Sequence, residues 1–361
     1  MHAAPPVLLA FALLSPQGPY QPREDLDAGR YLKALAEADA ELRRDPSRAL
    51  AWAAKSQALT ALLRFPEAEA AAARALALKP DLADAFLARG LVKGAQAVQQ
   101  RNLGSVRKAS SALDDLRRAT ELDPSLGAAW NSLGLALQQM PGLFGGSTRE
   151  ALRCADRLAQ VAPARGHLLR GMVLALDKRW GEAEPPLRKA LELAPRDPQV
   201  VYGYFEALGL ASTREALGRE AWRARLASEA RRLWPGVSPT ARGLQAVADA
   251  LLDAGEGEEA WRLAQASLAA SDAPSLVRLQ LGKIAARSGL HREEGLAALA
   301  RVLSEPLEGG SGGYPAAQWR RGQILKDLGR AEEARQAAEA ALALDPRHPG
   351  ARRLAAELRG G

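Results

Sequence analysis

The sequence predicts an all-α fold made of repeated pairs of antiparallel helices. Between Leu126 and Pro195 one pattern occurs twice in register, with large residues, glycines, alanines and a closing proline at matching positions. Apolar residues elsewhere recur at the 3.6-residue spacing of amphipathic helices. Aromatic residues make up only 5% of the 361 residues. Alanine and leucine must therefore form most of the core, as closely packed helix pairs require.

The two copies carry a resemblance to a known repeat. The first copy contains Trp130, Leu133, Gly134, Leu137, Ala151 and Pro163, and the second contains Gly171, Leu174, Ala183, Leu187, Ala190 and Pro195. This pattern resembles the tetratricopeptide repeat, a helix pair of about 34 residues. The resemblance implies an α-solenoid, a right-handed superhelix in which each unit contacts only its neighbours. It also implies a surface that binds another molecule.

The N-terminal units follow the pattern with two departures. Residues 27–46 predict one amphipathic helix that caps the array, and 49–80 predict a full unit in which Ser56 replaces the usual glycine. The next unit closes late, at Pro124, so its extra residues 95–111 predict two helices lengthened at their shared turn. That hairpin is either a contact surface or simply a longer hairpin with a polar tip.

The central unit has an insertion, 140–147, between its helices. Proline and paired glycines end the first helix, and Ser147 is a good N-cap for the second, with Glu150 at the capping-box position. The turn Leu143–Ser147 is similar to one in bacterial periplasmic repeat proteins, including the T-component of TRAP transporters. The similarity covers only this turn, and the chain lacks the lipid-anchor cysteine of those proteins.

The C-terminal third predicts a long basic helix, two further units, a linker and a final unit. The helix runs from Glu215 to Leu233 and ends at Pro235, with Trp222 expected in the core. Residues 308–315, rich in glycine and serine, predict a flexible linker. The resulting division is a solenoid over 27–307 with about seven units, the linker over 308–315, and the last unit with its capping helix over 316–361.

The N-terminus favours export. Residues 7–14 form an apolar run with the length of a secretory core region, so 1–20 predict a signal peptide or a disordered N-terminus. We expect a bacterial protein that is periplasmic or extracellular. No lysine or arginine precedes the run, which leaves a cytoplasmic location open. No later segment reaches the roughly 18 apolar residues of a transmembrane helix.

Composition and motifs argue against several kinds of chemistry. The net charge of +7 arises from 49 basic residues interleaved with 42 acidic ones, so nucleic-acid binding is not predicted. Residues 309–313 match G-x-S-x-G but lack the strand and helix of a nucleophile elbow. Four scattered histidines and the single Cys154 predict no metal site or disulfide. We therefore predict a protein that is not an enzyme and holds no cofactor.

Candidate binding residues follow from the family resemblance. In the family, the first helix of each unit lines the concave face through positions 2, 5, 9 and 12. Carried over to the N-terminal units, these positions predict a partner-binding set of Leu87, Leu91, Asn131, Leu135, Gln138, Arg165, Leu168 and Met172. Arg165 and Gln138 would orient a partner, and the others would contact it. Towards the C-terminus the same positions include Gln245, Lys283 and Trp319, so polarity rises.

The apolar N-terminal groove predicts a scaffold that binds an extended peptide or a partner helix. The alternative is an exported carrier or transporter accessory protein that encloses an apolar small ligand. Self-association, or a groove closed so that its residues are simply core, also remains open. The family's carboxylate clamp uses two asparagines, and the chain has only Asn102 and Asn131, the first of them in the hairpin tip. That clamp is disfavoured.

Overall fold

The computed structural model describes residues 25–26, 29–100, 103–237, 240–271, 273–307 and 313–359, and these ranges contain nineteen α-helices and no strand. The first nine helices are α1 (Tyr31–Arg44), α2 (Ala49–Ala61), α3 (Phe65–Leu78), α4 (Ala83–Gln100), α5 (Leu103–Leu122), α6 (Gly127–Gln139), α7 (Thr148–Val161), α8 (Pro163–Leu176) and α9 (Trp180–Leu193). The other ten are α10 (Pro198–Gly209), α11 (Ala211–Leu217), α12 (Arg219–Val237), α13 (Ala241–Ala254), α14 (Gly257–Leu268), α15 (Pro274–Ser288), α16 (Arg292–Ser304), α17 (Gly313–Asp327), α18 (Ala331–Leu344) and α19 (Pro349–Glu357).

The helices form an α-solenoid, which confirms the predicted fold class. Consecutive helices pack as antiparallel pairs, such as α2 with α3, α4 with α5 and α8 with α9. The first helix of each pair also packs against the first helix of the next, in the series α2, α4, α6, α8, α10, α13, α15 and α17. These eight helices, the inner layer, therefore form one continuous surface.

Small residues allow the two helices of a pair to approach closely. A Cβ on Gly171 would lie 2.4 Å from a Leu187 side-chain carbon, and one on Gly282 would lie 2.3 Å from Leu299. In the first full unit Ser56 takes this place and is fully buried. Its hydroxyl donates to the Ala68 carbonyl at 2.8 Å, so the buried polar group is satisfied.

The insertion and the lengthened hairpin agree with the sequence. Ser147 caps α7, since its hydroxyl accepts from the Glu150 amide at 3.2 Å. The insertion contains a short 3-10 turn, Gly142–Phe144. The helices α4 and α5, with 18 and 20 residues, are longer than the other helices of the N-terminal half. The residues 101–102 between them lie outside the described part of the chain.

The structure differs in detail from two predictions for the C-terminal third. The basic helix is broken at Gly218, where φ is +78°, a value that glycine adopts without strain. It then runs from Arg219 through Pro235 to Val237. The predicted linker over 308–315 overlaps α17, which begins at Gly313 and accommodates Pro315 in its first turn. Its remaining residues, 308–312, lie outside the described part of the chain. Trp222 is buried as predicted, and its indole donates to the Leu208 carbonyl at 2.8 Å.

Several helix pairs are joined by a turn with one left-handed residue. Glycine fills this position at Gly255 and Gly329, with φ of +97° and +76°. Leu63 and Lys178 adopt the same conformation, with φ of 61° and 63°. A side chain in that region costs about 1–2 kcal/mol. These two turns are therefore strained.

Substituting Lys178→Gly should raise the free energy of unfolding by about 1 kcal/mol, because the released strain exceeds the extra chain entropy. Thermal denaturation followed by circular dichroism measures this. Lys189→Gly is the matched control, since Lys189 is exposed within α9, where glycine should destabilise by about 1 kcal/mol. A lower melting temperature for Lys178→Gly would contradict the strain assignment.

Candidate partner-binding cavity

The inner layer of the N-terminal half encloses a cavity of about 1400 Å³. Its walls come mainly from α2, α4, α6, α8 and α10, all first helices of their pairs, with contributions from α1, α5, α7 and α13. The α6 helix shows how the sequence positions the wall. Gly127 lines the cavity at the start of this helix. The other lining residues of α6 share one face at 3.6 residues per turn, and they are Ala128, Asn131, Ser132, Leu135, Ala136 and Gln139.

Seven of the eight predicted binding residues line this cavity. They are Leu87, Leu91, Asn131, Leu135, Arg165, Leu168 and Met172. Six are half-buried, whereas the Leu87 side chain is fully buried in the core and supports the wall from behind. Gln138 does not line the cavity, because it lies about 90° round α6 from the middle of the lining face. Its role as an orienting group stays a prediction, and the neighbouring Gln139 lines the cavity.

Exposed apolar side chains surround the cavity. Leu63, Val98, Phe144 and Val161 all border it, with exposed fractions of 58%, 63%, 43% and 43%. Each is a large apolar residue, and their exposure to water is unfavourable. The strained φ of Leu63 places it in the turn that ends α2. The apolar surface therefore continues from the inside of the cavity to its rim.

The lengthened hairpin contributes wall residues that the family's binding positions, all on first helices, did not include. Ser105, Val106 and Ala109 of α5 line the cavity together with Val98 of α4. The sequence signal was present, since the extra residues 95–111 marked a candidate contact surface. Nothing in the repeat pattern indicated that this hairpin faces the concave side.

The N-terminal end of the array contacts α13 across the cavity. A guanidinium nitrogen of Arg242 donates to the Tyr31 hydroxyl at 3.3 Å, over a separation of 211 residues. The same guanidinium lies 5.4 Å from the centre of the Tyr202 ring in α10. It also lies close to Gly29, where an added Cβ would be 3.6 Å away. The solenoid thus curves far enough for Arg242 to close one side of the cavity.

The two arginines that line the cavity both have partners. Arg165 pairs with Asp197 at 3.5 Å, and Arg242 is held by the two tyrosines. Burial, and then the nearby Glu206 carboxylate, raises the pKa of Tyr202 to about 12. The Tyr202 phenol therefore stays neutral, and the cavity is predominantly apolar.

Reactive groups are not gathered at this site. Cys154 is a buried core residue of α7, which confirms its interpretation as an apolar filler. Within the described ranges no group of three or more histidine, cysteine, aspartate or glutamate side chains could hold a metal ion. In the same ranges, no helix combines the length and apolar character needed to cross a bilayer. The apolar run 7–14 lies outside the described residues.

Comparison with known families decides the identity of the repeats. The tetratricopeptide repeat model matches residues 143–198 and again residues 315–348. The chain therefore contains tetratricopeptide repeats at these two places. The repeats indicate a protein-interaction scaffold, and folds of this kind are typically not catalytic.

Several solved structures are similar to the chain at low identity. Yeast Tom70 is 13% identical, with a TM-score of 0.48, 94% of this chain covered and 87% of that one. A chain of the Cut9–Hcn1 hetero-tetramer of the APC/C is 13% identical, with a TM-score of 0.45, 92% of this chain covered and 53% of that one. This chain therefore spans about half the length of that relative. A thermophilic repeat protein of Thermus thermophilus is 20% identical, with a TM-score of 0.44 and coverages of 53% and 100%. No curated protein sequence matches the chain.

Replacing Arg242→Ala should loosen the N-terminal closure. Loss of the contacts with Tyr31 and Tyr202 removes about 1 kcal/mol, so backbone amides at the start of α1 should exchange about fivefold faster. Hydrogen–deuterium exchange mass spectrometry measures this. Arg262→Ala, at an exposed position of α14, should change nothing there. Equal exchange in the two variants would contradict the closure.

The Cys154 thiol should be unreactive in the native protein. Burial raises its pKa from 9.0 to about 12, and only the thiolate attacks disulfide reagents. We expect no reaction with DTNB at pH 8 until guanidinium unfolds the chain. Because the native pKa is the higher one, the linked stabilisation is complete below pH 9 and is lost as the pH rises towards 12. Rapid labelling of the native protein would show that α7 opens.

Proposed function

We propose that this protein is a non-enzymatic scaffold that holds an extended peptide or a partner helix in the N-terminal cavity. The observation that carries the proposal is that the exposed Leu63, Val98, Phe144 and Val161 border the apolar cavity. Full burial of one such side chain is worth about 1.5–3 kcal/mol. A bound apolar polypeptide would cover rim and interior together.

The size of the cavity favours a polypeptide over a small molecule. Sites for drug-sized ligands usually occupy about 300–1,000 Å³, and this cavity has about 1400 Å³. A helix is about 10 Å in diameter with its side chains, so the cavity has room for roughly three turns. The lining also extends from α2 to α10, which suits an elongated ligand.

Asn131 can recognise the backbone of such a ligand. It is half-buried at the middle of the wall, and its carboxamide has no hydrogen-bond partner among the described residues. One carboxamide offers both donors and acceptors, the combination that an extended peptide backbone requires. The half-buried Leu91, Leu135, Leu168 and Met172 supply apolar contacts beside it.

The test uses a peptide selected from a displayed library of random 15-residue sequences. Its affinity is measured by fluorescence anisotropy for wild type, Leu91→Asp and Leu135→Asp. We expect binding at least about tenfold weaker for each variant, because a desolvated carboxylate replaces an apolar contact.

Leu193→Asp and Leu344→Asp are the matched controls, since these leucines are exposed, at 47% and 57%, and do not border the cavity. They should bind like wild type, and circular dichroism should show equal helicity in all variants. Peptides that bind the cavity variants and the controls alike would contradict the proposal. Unfolding of Leu135→Asp would instead identify that residue as core, and Asn131→Ala would then carry the test.

Export remains a proposal and rests on the apolar run 7–14. Intact-mass measurement of the protein from its own host tests it, since a mature chain that has lost about 20 N-terminal residues is expected. A full-length chain inside the cell would contradict export. The alternative function, a carrier of an apolar small ligand, has no support in the comparisons.

A further inference from the structure

A second, smaller pocket lies in the C-terminal half of the concave surface and shares no residue with the large cavity. Its volume is about 210 Å³. The inner-layer helices α13, α15 and α17 form its walls, and His348 closes it at the start of α19. Its side chains are more polar than those of the large cavity, and one of them is a cation with an unusual environment.

That cation is Arg320, on α17. Its guanidinium carbon lies 3.8 Å from the centre of the Trp319 ring, and Nη1 donates to Gln323 Oε1 at 2.8 Å. No carboxylate of the described residues lies within ion-pair distance of it, and Nε and Nη2 have no hydrogen-bond partner in the same ranges. Nε and Nη2 together form the guanidinium edge that binds a carboxylate through two parallel hydrogen bonds.

The neighbouring cations, unlike Arg320, each have a carboxylate partner. Lys283, which also lines the pocket, pairs with Asp249 at 2.7 Å, and Arg287 pairs with Asp253 at 2.5 Å. Arg320 therefore leaves the pocket with one uncompensated positive charge. Burial, and then repulsion from Arg287, lowers the pKa of Arg320 to about 10. A partly buried cation without a counter-ion is unfavourable, and a bound anion would relieve it.

His348 adds a second donor. Its Nδ1 accepts from the Ala351 amide at 3.1 Å, so the neutral ring carries its proton on Nε2. Burial lowers the pKa of His348, which keeps the ring neutral. Trp319 is fixed between these groups, because its ring centre lies 5.0 Å from that of His348 and a Cβ on Gly350 would come within 2.3 Å of the indole.

We propose that this pocket binds a carboxylate on a short aliphatic stem, held by Nε and Nη2 of Arg320 with Leu276 and Leu279 against the stem. A volume of about 210 Å³ is below the usual range of about 300–1,000 Å³ for whole ligands, so it suits a group of a few atoms. The carboxylate belongs to a peptide, at its C-terminus or on an acidic side chain. The site is independent of the apolar cavity, and either proposal can fail alone.

The test follows the Nε–Hε signal of Arg320 by ¹⁵N NMR of the full chain, assigned by its absence from Arg320→Gln. The probes are three acetylated tripeptides and inorganic phosphate. The peptides are Ala-Leu-Leu with a free carboxyl terminus, the same peptide with a C-terminal amide, and Leu-Glu-Leu with a C-terminal amide. We expect a saturable shift with the free carboxylate, with Leu-Glu-Leu amide or with both, which identifies the source of the group. We expect no shift with Ala-Leu-Leu amide.

Isothermal titration of the active peptide should show binding at least about tenfold weaker for Arg320→Gln. Arg353→Gln removes the same charge from an exposed site on α19 and should bind like wild type. Leu135→Asp should also keep the response, since it alters only the apolar cavity. The melting temperature of Arg320→Gln should equal or exceed that of wild type, which shows that it folds. A response to phosphate alone, equal responses to acid and amide, or no response at about 10 mM would overturn the proposal.

Discussion

The close approach of the two helices in each pair is the contact on which the rest of the structure depends. At Gly171 and Gly282 the partner leucine occupies the space that a Cβ would need, and in the first full unit the small residue at this place is Ser56. Because the two helices of a pair pack so closely, the first helices of successive units can contact one another. A layer of helices in mutual contact on one side only makes the array curve, and the concave face follows from that curvature.

The inner layer consequently has two functions. Its helices bury one side in the core between the layers, while residues such as Leu135 and Met172 remain half-buried at the cavity. The two ends of the layer differ chemically, since the N-terminal half is apolar and the C-terminal half holds Arg320, which has no ion-pair partner in the described part of the chain. A ligand long enough to reach both halves would make apolar contacts in the N-terminal cavity and would place a negative charge beside Arg320.

Much of this arrangement follows from local sequence, and the remainder depends on summed geometry. Spacing of large and small residues predicted the helix pairs, the Ser147 cap and the lengthened hairpin, because each is decided within one unit. Seven of the residues predicted from repeat positions line the cavity, whereas Gln138 lies about a quarter turn away from it on α6. The contact of Arg242 with Tyr31 depends on the small rotation between each helix pair and the next, added over 211 residues. A pattern within one repeat cannot predict that total rotation. A single residue can also defeat a local prediction. The apolar spacing predicted one continuous helix from Glu215 to Leu233, but the helix is broken at Gly218.

Site-specific photo-crosslinking tests most directly whether the cavity holds a polypeptide. A photoreactive amino acid is placed at Leu135, at Met172 and, as a control, at exposed Leu344, in protein expressed in its own host. We predict that positions 135 and 172 yield adducts with the same segment of one polypeptide, identified by mass spectrometry, and that position 344 does not. Adducts of small-molecule mass at 135 and 172, or equal labelling at all three positions, would contradict it.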